Sequence, residues 1–256
     1  MRSPPPTSSL GLTRISADQP LTALALVQHD IARCKRCRRL RTYCARVARE
    51  KKPAHARDTY WGRPVPGFGD GGARLLVLGL APAAHGANRT GRVFTGDGSG
   101  DFLMRAMHDT GFASLPTSRR ADDGLVLTDA YIAAAVRCAP PDNKPTPAEI
   151  QACQAHLDAE WETLPRIAVV IALGRIAFDA GLARFARVGL RMRPKPPFGH
   201  GAEYGGPGGP LLIASYHPSR QNTNTGRLTP VMLRAVFDRA REHLDSGRAA
   251  PRGESR

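Results

Sequence analysis

The sequence predicts an α/β protein built on a central, mostly parallel four-stranded sheet with helices on both faces. Two observations carry that prediction. Four short apolar runs, of the kind that form strands buried on both faces, recur along the chain. Helical stretches separate them, and strands alternating with helices pack as a parallel sheet between helical layers. At 256 residues, with 41% hydrophobic and 23% charged, the chain can bury a substantial core without disulfide staples.

Taken in order, residues 1–20 carry Pro4-Pro5-Pro6 among Ser and Thr and are expected to be a disordered tail. Residues 21–245 are expected to form a single domain, and 246–256 a flexible tail. Leu21 to Arg39 has helical periodicity, and Tyr60 to Asp70, rich in Gly and Pro, reads as an irregular loop. The first strand spans Arg74 to Leu80, and a helix is expected from Asp101 to Thr110. The second strand runs from Leu125 to Ile132 and on to Val136. Thr146-Pro147-Ala148-Glu149 combines a capping box with Pro at the first helical position, which starts a helix ending near Glu162. Ile167 to Leu173 is the third strand, followed by a helix from Arg175 to Phe185. Leu211 to Ser215 is the fourth strand, and Thr229-Pro230 caps a last helix reaching Leu244. There is no internal repeat.

Charge narrows the function classes. There are 37 Lys+Arg against 22 Asp+Glu, a net charge of +15. A surplus of this size favours a polyanionic partner such as nucleic acid, since each neutralised phosphate releases counterions. A basic, Arg-rich composition of the proteome would account for it without any partner. No apolar run approaches the roughly 20 residues that cross a bilayer, so no membrane association is expected. The N-terminus lacks an apolar signal region, which points to a cytoplasmic, nucleoid-associated protein, expected as a monomer. From Arg33 to Lys52 there are ten Lys/Arg and a single acid, Glu50. This run is either a solvated face or a grip on a phosphate backbone.

Five cysteines in a cytoplasmic chain suggest metal rather than disulfides. Cys34 and Cys37 form a C-x-x-C pair and, with Cys138 and Cys153, make a four-thiolate set. Spacing alone leaves an iron–sulfur cluster, zinc, or unrelated buried thiols open. Cys44 is the spare, expected to be a free cysteine.

In an open α/β sheet, ligands bind beyond the carboxyl ends of the strands. The first strand runs into Gly79-Leu80-Ala81-Pro82, then Asn88-Arg-Thr-Gly-Arg92 and Phe94-Thr-Gly-Asp97. Small residues there let backbone approach a flat ligand. Phe94 can stack on a base, and Asp97 can either position water or cap the helix that follows. The fourth strand runs into His217-Pro-Ser219-Arg220-Gln-Asn222 and Thr225-Gly-Arg-Leu-Thr229. Such a density of polar groups at the end of an apolar strand reads as a functional site.

These segments resemble the two active-site motifs of the uracil-DNA glycosylase superfamily, and most of all its family 5 branch of bacteria and archaea. The resemblance runs from Cys34 and Cys37 through Tyr60 to Asp70 and Val136-Arg-Cys-Ala-Pro-Pro141 to Thr229, most of the chain except its ends. It implies a DNA repair enzyme that flips uracil out of the duplex and hydrolyses the N-glycosidic bond. It implies a [4Fe–4S] cluster on Cys34, Cys37, Cys138 and Cys153 in an N-terminal iron–sulfur-bound segment. It implies a catalytic set of Asp97, His217 and Asn143. A base-binding and phosphate-binding set follows in Gly79, Leu80, Ala81, Phe94, Asn143, Asn222, Ser219 and Arg220. Many relatives place an acid or amide where this chain has Ala81, so the water-activating carboxylate is expected at Asp97. The small Ala81 also raises a wider substrate range, hypoxanthine and xanthine beside uracil. Outside catalysis, the rivals are a silent damage-binding protein and an iron–sulfur electron carrier. Neither needs the polar groups at Asp97, Asn143, His217 and Asn222.

Overall fold

Along each central strand, alternate side chains serve opposite cores. In β2 (Leu75–Gly79), Leu75 and Val77 enter one core while Leu76 and Leu78 enter the other. The same alternation holds in β3 (Ala130–Ala134), β4 (Val169–Leu173) and β6 (Leu211–Ser215). A strand buried on both faces needs apolar residues at every position, which is why each reads as an unbroken run. The computed structural model describes residues 22–205 and 208–249. The expected tail over 1–20 lies outside the described residues.

The sheet has six strands in the order β1-β3-β2-β4-β6-β5, with the middle four parallel. The mostly parallel sheet is as expected, and its expected four strands are corrected to six among the described residues. β1 (Phe68–Gly69) and β5 (Glu203–Tyr204) add antiparallel edges. Each is two residues long, too short to show any periodicity in sequence.

The helices are α1 (Ala23–Ala32), α2 (Arg38–Glu50), α3 (Ala87–Thr90), α4 (Gly98–Asp109), α5 (Pro147–Glu162), α6 (Arg175–Arg187), α7 (Arg220–Asn224) and α8 (Pro230–Ala249). Helices α4 and α8 cover one face through Leu103, Met107, Leu233 and Phe237. Helices α5 and α6 cover the other through Leu157, Phe178 and Phe185. The single helix expected over Leu21–Arg39 breaks at Cys34–Cys37, and α2 starts afresh beyond it. Leu40, Cys44 and Val47 give α2 a buried stripe at i, i+4 and i+7, while its arginines face outward. Helix α8 continues to Ala249, past the boundary expected for the C-terminal tail, and 250–256 lie outside the described residues. Among the described residues no helix is long and apolar enough to cross a membrane.

β3 begins only at Ala130, not at Leu125. Asp129 turns the chain with φ +57° and accepts the Arg74 guanidinium, which also donates to Leu244 O at 2.8 Å. A second ion pair is fully buried: Arg137 Nη1 lies 2.7 Å from Glu160 Oε2, each side chain 1% exposed. Tyr131 Oη and Gly67 N donate to Glu160 Oε1 at 3.0 and 2.7 Å, satisfying the carboxylate's other oxygen.

Candidate active site at the carboxyl edge of the sheet

Strand order reverses between β2 and β4, and the crevice beyond their carboxyl ends is where an open sheet holds its ligand. Three loops meet there. The loop after β2 carries Phe94, whose backbone sits in the left-handed region at φ +48°. That turn lays the ring on Gly79, where a Cβ would fall 2.6 Å from the ring edge, so Gly79 is required for close approach. The Phe94 ring faces the His217 imidazole, centroids 5.9 Å apart with planes 31° from parallel. The loop after β4 closes the group, since the backbone of Gly174 packs on His217, 3.3 Å from a Cβ built there.

Of the two roles foreseen for Asp97, the helix cap is the one observed. As N-cap of α4, its Oδ1 accepts from Ser99 N and Gly100 N, both at 3.0 Å. Its Oδ2 takes no hydrogen bond from the described residues and lies against Gly86, where a Cβ would fall 2.0 Å away. Burial raises the Asp97 pKa above the ordinary aspartate value, opposed by the two cap hydrogen bonds and by Arg220. Arg220 belongs to the loop after β6 and reaches to 4.0 Å from the Cβ position of Gly98. The first-motif carboxylate and second-motif guanidinium are thereby brought together.

His217 keeps part of its surface open to the crevice but is densely surrounded by protein. Desolvation pushes its pKa down to about 4, so the imidazole is neutral at neutral pH. Its turn is held from behind: Asn222 Nδ2 and Ser219 N both donate to His217 O at 2.8 Å. Ser219 caps α7, its Oγ accepting from Asn222 N. Asn222 and Ser219, expected at the substrate, thus spend these groups on the turn that aims His217.

Asn143 lies on the turn after β3 and is exposed; no hydrogen bond or ring contact joins it to Phe94, Asp97 or His217 among the described residues. Asp142 and Asn143 both have positive φ, +54° and +57°. Two consecutive left-handed residues other than glycine are strained, a feature that clusters at functional loops.

Leu80 O accepts from Val136 N at 2.9 Å, and Gly79 O from Ala135 N at 2.9 Å, so the first motif is pinned to the extension of β3. Ala81 packs with Ala84 against a small core formed by Leu40, Cys44, Val136, Cys138, Ala139 and Cys153, with Cys37 beside it. The cysteines expected as ligands come from three segments, the α1–α2 turn, the stretch after β3 and α5. Burial raises the pKa of the Cys37 and Cys153 thiols. Arg137 N points at Cys153 Sγ, 3.3 Å away. Among the described residues no three His, Cys, Asp or Glu side chains are grouped so as to hold a metal ion. Cys138 and Cys153 are buried in this core with Cys37 packed beside it, and these thiols together with Cys34 are the residues that could hold an iron–sulfur cluster. Cys44 is free as expected but not apart: it is fully buried in this same core, its Sγ 3.6 Å from Ala139 O.

One first-motif residue went unread in the sequence. His85 Nδ1 lies 3.0 Å from Tyr60 Oη, tying the loop to the Gly- and Pro-rich segment ahead of β1. Nothing but proximity in the fold marks this pair.

The model of the Uracil DNA glycosylase superfamily matches residues 66–241. The chain is 52% identical over 217 residues to a type-5 uracil-DNA glycosylase of Thermus thermophilus, covering 85% of this chain and 96% of that protein. It is 50% identical over 213 residues to a type-5 uracil-DNA glycosylase of Mycobacterium tuberculosis, covering 83% and 78%. A type-4 uracil-DNA glycosylase of Archaeoglobus fulgidus is 29% identical over 163 residues, covering 60% and 70%. With more than half of its length matched to one family, and with motifs of that family meeting at one crevice, the chain belongs to the uracil-DNA glycosylase superfamily.

Proposed function

We propose that this chain is a monofunctional uracil-DNA glycosylase of the type-5 kind, which removes uracil from DNA and leaves an abasic site. The observation that carries this is that loops more than a hundred residues apart bring the Phe94 ring against the His217 imidazole and Arg220 beside Asp97.

Breaking a deoxyribose–base bond builds a cationic sugar and an anionic base, so both charges need partners in the transition state. A neutral imidazole is a hydrogen-bond donor that does not repel the cationic sugar. His217 donates its N–H to the uracil carbonyl where negative charge grows. Asp97 Oδ2, free of the helix cap, faces the sugar, orients water and offsets positive charge. Phe94 stacks on the extruded base, and flipping costs a few kcal/mol, least at a mispaired lesion. Asn143 reads the base edge when its loop closes over the pocket. Arg220, exposed and held beside Asp97, contacts a phosphate.

Cys34, Cys37, Cys138 and Cys153 hold a [4Fe–4S] cluster in this reading. These residues lie on the α1–α2 turn, the segment after β3 and α5, which a bound cluster would cross-link. Other deaminated bases, hypoxanthine and xanthine, are second-rank substrates, since the first motif carries only Ala81 where a larger group would narrow the pocket. The enzyme acts as a cytoplasmic monomer.

The test is direct. Purified protein is incubated with duplexes carrying a single uracil, hypoxanthine or xanthine, and abasic product is revealed by alkaline cleavage. Uracil excision is expected, fastest of the three. Binding without excision would return the chain to the class of silent damage binders.

A further inference from the structure

Two exposed arginines beside the crevice are each laid across an aromatic ring. Arg175 begins α6 directly after Gly174, and its guanidinium carbon stands 5.2 Å from the centre of the Phe198 ring. Arg227 follows Gly226 in the second-motif loop, and its guanidinium carbon stands 4.6 Å from the centre of the Tyr216 ring. Phe198 and Tyr216 pack at a tilt, centroids 6.2 Å apart with planes 52° from parallel, so the four side chains form one continuous row, arginine on ring, ring against ring, ring on arginine. The row is built into the fold at both rings. Phe198 packs on Phe178 at 5.6 Å, and Tyr216 is stacked on His200 at 5.2 Å while its N–H donates to His200 Nδ1 at 3.2 Å.

Neither arginine has a carboxylate partner among the described residues, although elsewhere arginines such as Arg74, Arg92 and Arg239 are paired with acids. Cation–ring contact fixes a guanidinium in place without consuming its five N–H donors. Row and catalytic group are also contiguous: Tyr216 directly precedes His217, and Gly174 packs on His217.

We propose that Arg175 and Arg227, braced by Phe198 and Tyr216, form a preorganised rail that grips backbone phosphates of the DNA beside the extruded nucleotide. This deepens the glycosylase reading and rests on DNA being the substrate. A planar fork matches a phosphate bidentately, and a fork whose rotamers are already restrained loses less entropy on binding. The rail sets where the backbone lies relative to His217, so these are positioning residues.

Binding of a fluorescent undamaged duplex and of a uracil duplex is measured against salt for the parent and for Arg175→Ala, Arg227→Ala and the double variant. Each alanine should weaken both duplexes alike and lower the log–log salt slope by about 0.9, the loss of one phosphate contact. Single-turnover excision at saturating enzyme should slow, because the backbone is no longer held relative to His217, while the melting temperature stays as in the parent. Arg175→Lys and Arg227→Lys keep the charge but lose the flat brace; the slope should hold while affinity falls. A double alanine variant with the parental slope overturns the rail, and so does a lowered melting temperature with an unchanged slope. Lysine variants binding as tightly as the parent overturn the bracing. Should the parent fail to excise uracil, the glycosylase reading falls, while the slopes still decide the rail.

Discussion

At the scale of single residues, the division of labour proposed for His217 and Asp97 follows from their surroundings. A lost donor to a developing anion costs on the order of 10²–10³ in rate, and His217→Ala should do the same to single-turnover excision of uracil. Asp97→Asn keeps the helix cap and removes the charge. It should slow chemistry with little change in duplex affinity, because the sugar cation exists only near the transition state. Full activity in Asp97→Asn would reduce Asp97 to its cap. The raised Asp97 pKa also places the acid limb of the rate above the ordinary aspartate range, and that limb should vanish in the Asn variant. Stability carries its own pH signature. His156 and His217 are both pushed from 6.5 to about 4 by burial, so between those values the unfolded chain binds protons that the folded chain refuses. Unfolding free energy therefore falls as pH drops from 6.5 towards 4. The Asp123 carboxylate, held at about 2 by Arg92, contributes nothing to that window. Melting curves at pH 6.5 and 4.5 should show the loss, and His156→Gln should diminish it.

At the scale of elements, what was legible in sequence depended on whether a signal was local. The Thr146 capping box places the start of α5 at Pro147, and the unbroken apolar run places β6 over Leu211–Ser215, both as expected. The charge run concealed a helix: α2 has only three buried apolar positions among its arginines, so its periodicity was masked by charge. Asp97 was legible as a cap because it stands directly before α4, and His217 stood out because polar residues follow the apolar run of β6. Asn222 was readable as part of the motif, yet its bond to His217 O is a matter of three-dimensional placement. Arg175, Phe198, Tyr216 and Arg227 belong to separate segments and no pattern links them. The same holds for the buried pair of Arg137 and Glu160, which joins the extension of β3 to α5. Removing one partner leaves an uncompensated buried charge, at a cost of about 3–5 kcal/mol. Glu160→Leu should therefore lower the melting temperature sharply, while Glu160→Leu with Arg137→Met should recover much of it. Equal melting temperatures for the single and double variants would mean the pair is not coupled.

At the scale of the whole molecule, the cysteine-lined core sits where three distant segments meet behind the first motif. Ala81 and Ala84, on the loop that leads from Gly79 towards Asp97, rest on the same core as Cys138 and Cys153. A cluster on Cys34, Cys37, Cys138 and Cys153 would hold the basic α2 against that loop, and metal binding of this kind is folding free energy. The expected outcome is specific. Anaerobically purified protein should be brown, with the broad visible absorption of thiolate-bound iron and sulfide. Cys138→Ser should lose colour and thermal stability together, because its thiol is buried and shared between ligation and packing. Cys44→Ser should keep the colour: its thiol fills space in the same core, hydrogen-bonded to the Cys138 thiol and to Ala139 O, and a serine hydroxyl can keep both contacts. Chelation of iron from the parent should expose α2 amides to hydrogen exchange while those of β2 and β4 stay protected, since their hydrogen bonds lie in the sheet centre. Colourless protein that is active, binds zinc and keeps α2 protected would replace the iron–sulfur assignment with a zinc site on the same thiols.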